Sequence, residues 1–161
     1  IDFFRDINSF PEQISSSALM CRMVDGIGFR YYWATYNLQE STYHFKPGEN
    51  RWTIKDTLSH IWDTASWINE SLGLDKLDKP EDSRELKNSI LNLYFSIRNA
   101  FSNMNDQTLQ AVTINKAPFW YLINGPLEDM LSHVGAIDNM RRTAGDVPIE
   151  PHFFKGSPPK E

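Results

Sequence analysis

Cysteine is nearly absent from this chain: Cys21 is the only one in 161 residues. A disulfide within the chain is therefore excluded, and a reducing compartment is the expected setting. Apolar residues never run on for the roughly 20 positions a membrane-spanning helix requires. The opening residues Ile1-Asp2-Phe3-Phe4-Arg5 have neither the basic start nor the long apolar stretch of a secretion signal. A cytoplasmic protein without membrane contact is expected. Positive charge is scarce and scattered: 16 Lys and Arg stand against 21 Asp and Glu, for a net charge of −5, and Arg141-Arg142 is the only tight basic pair. Nucleic-acid binding, which draws much of its affinity from phosphate contacts, is disfavoured. A GxSxG nucleophile motif is missing, and so is a phosphate-binding loop, since Asp25-Gly26-Ile27-Gly28 lacks both a flanking strand and the full glycine spacing.

What is present points to a well-filled core. Hydrophobic residues make up 40% of the chain and aromatics 13%, with five tryptophans, so disorder is excluded and one domain over 1–161 is expected. Four segments carry helical periodicity. In the first, about 16–39, Cys21, Val24, Ile27, Tyr31, Ala34 and Leu38 recur at spacings of three and four, which draws one apolar stripe. Gly26 and Gly28 interrupt it and mark either a close helix crossing or a break. The second, 53–72, has the cleanest stripe: Ile54, Leu58, Ile61, Ala65, Ile68 and Leu72, with Thr53 as N-cap and Asp56 as the acid of a capping box.

The third helix, 80–105, is expected to open at Pro80 with Glu81 and Asp82 at the positive end of its dipole, and to bury Leu86, Ile90, Leu93, Ile97, Phe101 and Met104. The fourth, 125–145, presents Leu127, Met130, Val134 and Ile137, carries Arg141 and Arg142 in its last turn and stops at Gly145. Phe119 to Ile123 reads as an extra helical turn, and Leu109 to Ile114 as a short strand with nothing to pair with. The tail 146–161 is too rich in proline for a helix, and its apolar residues are expected across the surface or at a subunit contact. These elements predict an all-α four-helix bundle.

Only two of the four histidines, His60 and His133, fall inside strong helices. His60 lies one residue before Ile61, about 100° from the core stripe, on a flank shared with Thr57, Thr64 and Trp67. Asp129 and His133 are four residues apart and project from one face of the fourth helix. Two imidazole nitrogens and one carboxylate oxygen suit a divalent Zn, Ni or Fe ion and leave positions open for water or substrate. The same residues also fit a plainer reading. An acid early in a helix is favoured by the dipole and pairs with a histidine at i+4, and His60 can be an interfacial histidine bonded to a carbonyl. Trp33, Trp62, Trp67 and Trp120 are each either core or the wall of a pocket. Cys21, on the core face with no histidine near it in sequence, is expected to be inert.

The stretch Lys46-Pro47-Gly48-Glu49-Asn50-Arg51-Trp52-Thr53-Ile54-Lys55-Asp56-Thr57-Leu58-Ser59-His60 resembles the start of helix two in the DinB/YfiT-like superfamily. Asp129-Met130-Leu131-Ser132-His133-Val134-Gly135, followed by Arg141, Gly145 and Pro148, is similar to that family's helix-four pattern of His-x-x-x-His-x-Gly, then Arg, Gly and Pro. The resemblance implies an antiparallel four-helix bundle, a homodimer and a divalent metal held by three histidines. His60 and His133 match two of these ligands; Asp129 stands where the family has the third histidine, and Ala136 where it has glutamine. The activity implied is a metal-dependent S-transferase that joins a small-molecule electrophile to a low-molecular-weight thiol such as bacillithiol, mycothiol or glutathione. The alternative is a non-catalytic helical bundle that binds a small ligand or protein partner and keeps a degenerate metal site.

Overall fold

The computed structural model describes residues 2–160 and is mostly helical. Four long helices, α1 (Ser16–Thr35), α2 (Ile54–Ser71), α3 (Ser83–Ser102) and α6 (Glu128–Ala144), are joined by loops and smaller elements. Between α3 and α6 lie α4 (Asp106–Ala111), strands β1 (Thr113–Ile114) and β2 (Ala117–Pro118), the short helix α5 (Trp120–Leu122) and a π-helical turn over Ile123–Leu127. Helices α1 and α2 each pack against both α3 and α6. The stripes read from sequence face one another at these contacts: Val24, Ile27 and Tyr31 meet the same core as Leu58, Ile61, Ile90, Leu93, Val134 and Ile137, all buried. Among the described residues no helix is long and apolar enough to cross a membrane.

Local chemistry explains where the helices begin and end. Thr53 caps α2 as the sequence predicts: its Oγ1 accepts from the Asp56 N–H at 3.0 Å while its own N–H donates to Asp56 Oδ2 at 2.9 Å. Helix α3 begins at Ser83 rather than Pro80, because Asp82 is the cap and its Oδ1 accepts from the N–H groups of Arg84 and Glu85 at 2.9 Å each. Helix α1 stops at Thr35, short of the predicted residue 39. The cause is tertiary: the buried Arg141 guanidinium takes the carbonyls of Ala34 and Tyr36 at 2.9 Å each, and the chain turns away through Asn37 at φ 52°. At the far end of α6, Gly145 is left-handed (φ 81°) and Asp146 N–H returns to the Arg141 carbonyl at 3.0 Å, a Schellman closure.

Two further expectations are corrected. The strand within Leu109 to Ile114 is not alone: Thr113 and Ile114 pair with Pro118 and Ala117 across Asn115 and Lys116, both at positive φ, while Leu109 to Ala111 belong to α4. The fourth helix does not start at Gly125. Helical backbone begins at Trp120, and Pro126, which has no N–H to give, is taken up in the wide π turn before α6 proper. The α1 glycines do not break their helix. A Cβ on Gly28 would overlap the Phe4 ring, so Gly28 is where the N-terminal turn Asp2–Arg5 crosses closely; Gly26 faces open space. In the tail, Phe153 packs edge-on against Phe29 of α1, with Arg30 over its ring, and Phe154 is exposed.

Candidate metal centre

His60 lies midway along α2, on the flank of the buried face. The residues around it hold that flank still: Thr57 Oγ1 donates to the Thr53 carbonyl and Thr64 Oγ1 to the His60 carbonyl, both at 2.9 Å. Asp129 is the second residue of α6 and His133 stands one turn on, so one short stretch of helix supplies two donors in fixed register. The π turn immediately before Glu128 sets the rotational phase at which that pair leaves the helix.

The three predicted residues, separated by up to 73 positions in sequence, come together here. His60 Nε2 is 2.9 Å from Asp129 Oδ2, and His133 Nε2 is 3.4 Å from Asp129 Oδ1. One donor atom from each residue lies within 4.8 Å of the others, and the two imidazole centroids are 4.5 Å apart. Ligands bound at about 2.1 Å to one tetrahedral ion stand about 3.4 Å from one another. The carboxylate–imidazole separations, 2.9 and 3.4 Å to the two different carboxylate oxygens, are at or just under that size. The donor set, two borderline nitrogens and one hard oxygen, fits Zn, Ni or Fe. The His60–Asp129 pair is also satisfied without an ion, as a hydrogen bond from the Nε2–H tautomer.

Trp52 is the site residue that spacing did not reveal. Its ring stacks on His133 at 5.6 Å and 24°, and lies 5.0 Å from His60, so one indole braces both imidazoles. It is half exposed, one residue before the Thr53 cap, outside the helix and outside any periodic pattern. Its signals in the sequence were its place beside a cap and within the Lys46 to His60 stretch.

The centre lies between two clefts. The larger, ≈960 Å³, opens beside His60 and Asp129, and has Trp67, Tyr121 and Pro126 in its wall along with Asp63 and Glu128. The smaller, ≈480 Å³, opens beside Trp52 and His133 and contains Arg51, Asn50 and Asn139. Of the four tryptophans singled out from sequence, Trp33 and Trp62 are core, Trp67 lines the larger cleft, and Trp120 is largely exposed beside Leu19 and Met23 in a separate groove. Cys21 lines neither cleft: it is buried, its thiol donates to the Arg98 carbonyl at 3.4 Å, and burial raises its pKa, which suits an inert thiol. Compared with family models, curated proteins and solved structures, the chain finds no match.

Proposed function

We propose that this protein is a divalent-metal-dependent enzyme, a thiol-dependent S-transferase acting on small electrophiles, built as an antiparallel four-helix bundle of DinB/YfiT-like type. The observation that carries the reading is the meeting of His60 from α2 with Asp129 and His133 from α6, donor atoms within 4.8 Å, between two clefts. Zn, Ni or Fe bound there supplies a Lewis acid that favours the thiolate form of a low-molecular-weight thiol. The chain's own residues hold the reactants: Trp52 fixes the imidazole planes, and Trp67 and Tyr121 offer flat apolar walls to an electrophile. We also propose a homodimer, which sedimentation at micromolar concentration tests directly; a monomer there removes it.

The first experiment is elemental analysis of untagged protein beside the double variant Asp129→Ala, His133→Ala. Near-stoichiometric Zn, Ni or Fe in the parent, lost in the variant, supports the centre. Turnover of a generic electrophile with added thiol, dependent on His60 and His133 and restored by metal, then supports the transferase. One observation favours a second reading: the 2.9 Å His60–Asp129 hydrogen bond satisfies both groups with no ion present. If parent and variant both stay metal-free after incubation with each ion, the protein is a non-catalytic bundle with a degenerate site, and small-ligand and partner binding become its function.

A further inference from the structure

The two clefts differ in charge, and the difference assigns them different ligands. Asp63, Glu128 and Asp129 line the larger cleft, and no Lys or Arg does. Lys79 neutralises Asp63 from outside, with Nζ 2.7 Å from Oδ2, and Asp129 is engaged by His60 and His133, which leaves Glu128 to set the sign. In the smaller cleft the position is reversed. Arg51 is the one lining residue with full charge, accompanied by the amides of Asn50 and Asn139 and the hydroxyl of Thr143, and no carboxylate lines it. None of the ion pairs among the described residues involves Arg51. Its backbone is nonetheless held, because its N–H closes a turn onto the Gly48 carbonyl at 3.2 Å. The next residue, Trp52, stacks on His133. A guanidinium that is free of internal partners, fixed at its backbone and set in a cleft that ends on a candidate metal ligand is equipped to take a carboxylate in a two-point hydrogen bond.

We infer that the Arg51 cleft is a carboxylate subsite: it takes a small carboxylate-bearing cosubstrate, anchored on Arg51, whose other end reaches the His60–Asp129–His133 centre past Trp52 and His133. The larger cleft takes the neutral or cationic apolar reactant, because Glu128, the one lining carboxylate engaged neither by Lys79 nor by the candidate centre, disfavours an anion there. This deepens the transferase reading and rests on it for the identification of the cosubstrate as a thiol; the anion preference itself rests on Arg51 alone.

The test uses two thiols of equal chain length, 3-mercaptopropionate and 3-mercaptopropan-1-ol. Each is titrated into the whole protein, zinc-incubated and metal-free, with binding followed by NMR at the Arg51 Nε–H and Trp52 Nε1–H. Zinc content is measured on the same samples. The expected result is that the carboxylate binds about fivefold tighter than the alcohol, the factor a partly exposed charge pair supplies. Arg51→Gln should abolish that preference and leave the alcohol's affinity within about twofold. Arg51 is exposed and in a loop, so the variant should keep the parent's circular dichroism. Equal binding of the two thiols, or a preference that survives Arg51→Gln, overturns the subsite even where zinc is bound stoichiometrically. A preference that follows Arg51 in protein that takes up no zinc upholds the subsite and overturns the metal-dependent reading instead.

Discussion

Asp129 determines how the candidate centre behaves, because it touches both imidazoles at once, at 2.9 and 3.4 Å. Replacing it with asparagine keeps the shape and removes the charge. The variant should lose metal affinity by more than the roughly 10–100-fold that loss of a supporting contact brings, as read by competition with a chromophoric chelator. The metal-free fold should change by no more than about 1 kcal/mol, since both pairs are partly exposed and screened by water. Trp52 gives a second readout. Stacked on His133 and close to His60, its indole lies against the candidate ligands, and titration with Ni should quench part of the tryptophan emission. In Trp52→Phe that component should vanish while elemental analysis still finds the ion. The cluster of His60, Asp129 and His133 was legible because helical spacing carries angular information: Asp129 and His133 share a face by arithmetic, and His60 sits beside a clean stripe. Trp52 was not legible as a site residue, because nothing in the periodicity of a helix says where a ring just outside it will lie.

The helices show the same division between local and tertiary causes. The start of α2 was legible to the residue because Thr53 and Asp56 satisfy each other within four positions. The end of α1 was not, because the group that terminates it, Arg141, arrives from the end of α6. The strand ending at Ile114 was legible but its partner, Ala117–Pro118, was not, because the turn Asn115-Lys116 puts a lysine at positive φ where glycine is the usual signal. Arg141 is almost fully buried and binds Asp146 through both oxygens, at 2.7 and 3.1 Å. Arg141→Met should therefore destabilise the fold by about 3 kcal/mol, since it strands a largely buried carboxylate and two carbonyls, as measured by urea denaturation. The ion pair also predicts a pH dependence. Burial opposes ionisation of Asp146, but the hydrogen bonds from Arg141 and the Gln39 N–H outweigh it and hold the carboxyl below its ordinary value. A depressed folded-state pKa means that the stabilisation is present above the unfolded value, about 3.9, and is lost as the pH falls through the folded one. The stability advantage of the parent over Asp146→Asn should accordingly be full near neutrality and shrink steadily under acid.

At the scale of the whole molecule, the candidate centre is a tie between α2 and α6, two of the four long helices, and that position makes metal binding visible as global stability. The unfolded chain keeps Asp129 and His133 near each other in sequence but places His60 about seventy residues away, so it offers no comparable three-donor site. A ligand that binds only the folded state at about 100 times its dissociation constant adds about 2.7 kcal/mol. For a domain of this length each kcal/mol raises Tm by roughly 2–4 °C. Zinc in such excess should therefore raise the melting temperature by about 5–10 °C, and a chelator should return it to the starting value. In Asp129→Ala, His133→Ala the rise should be absent, although the apo melting temperature stays near the parent's, because the removed groups are partly exposed and lie outside the core stripe. A rise of the same size in the double variant would place the ion elsewhere on this acidic chain. No rise in the parent, with its fold intact, would mean that no ion is held there and would favour the non-catalytic reading, in which His60 and Asp129 satisfy each other through their proton.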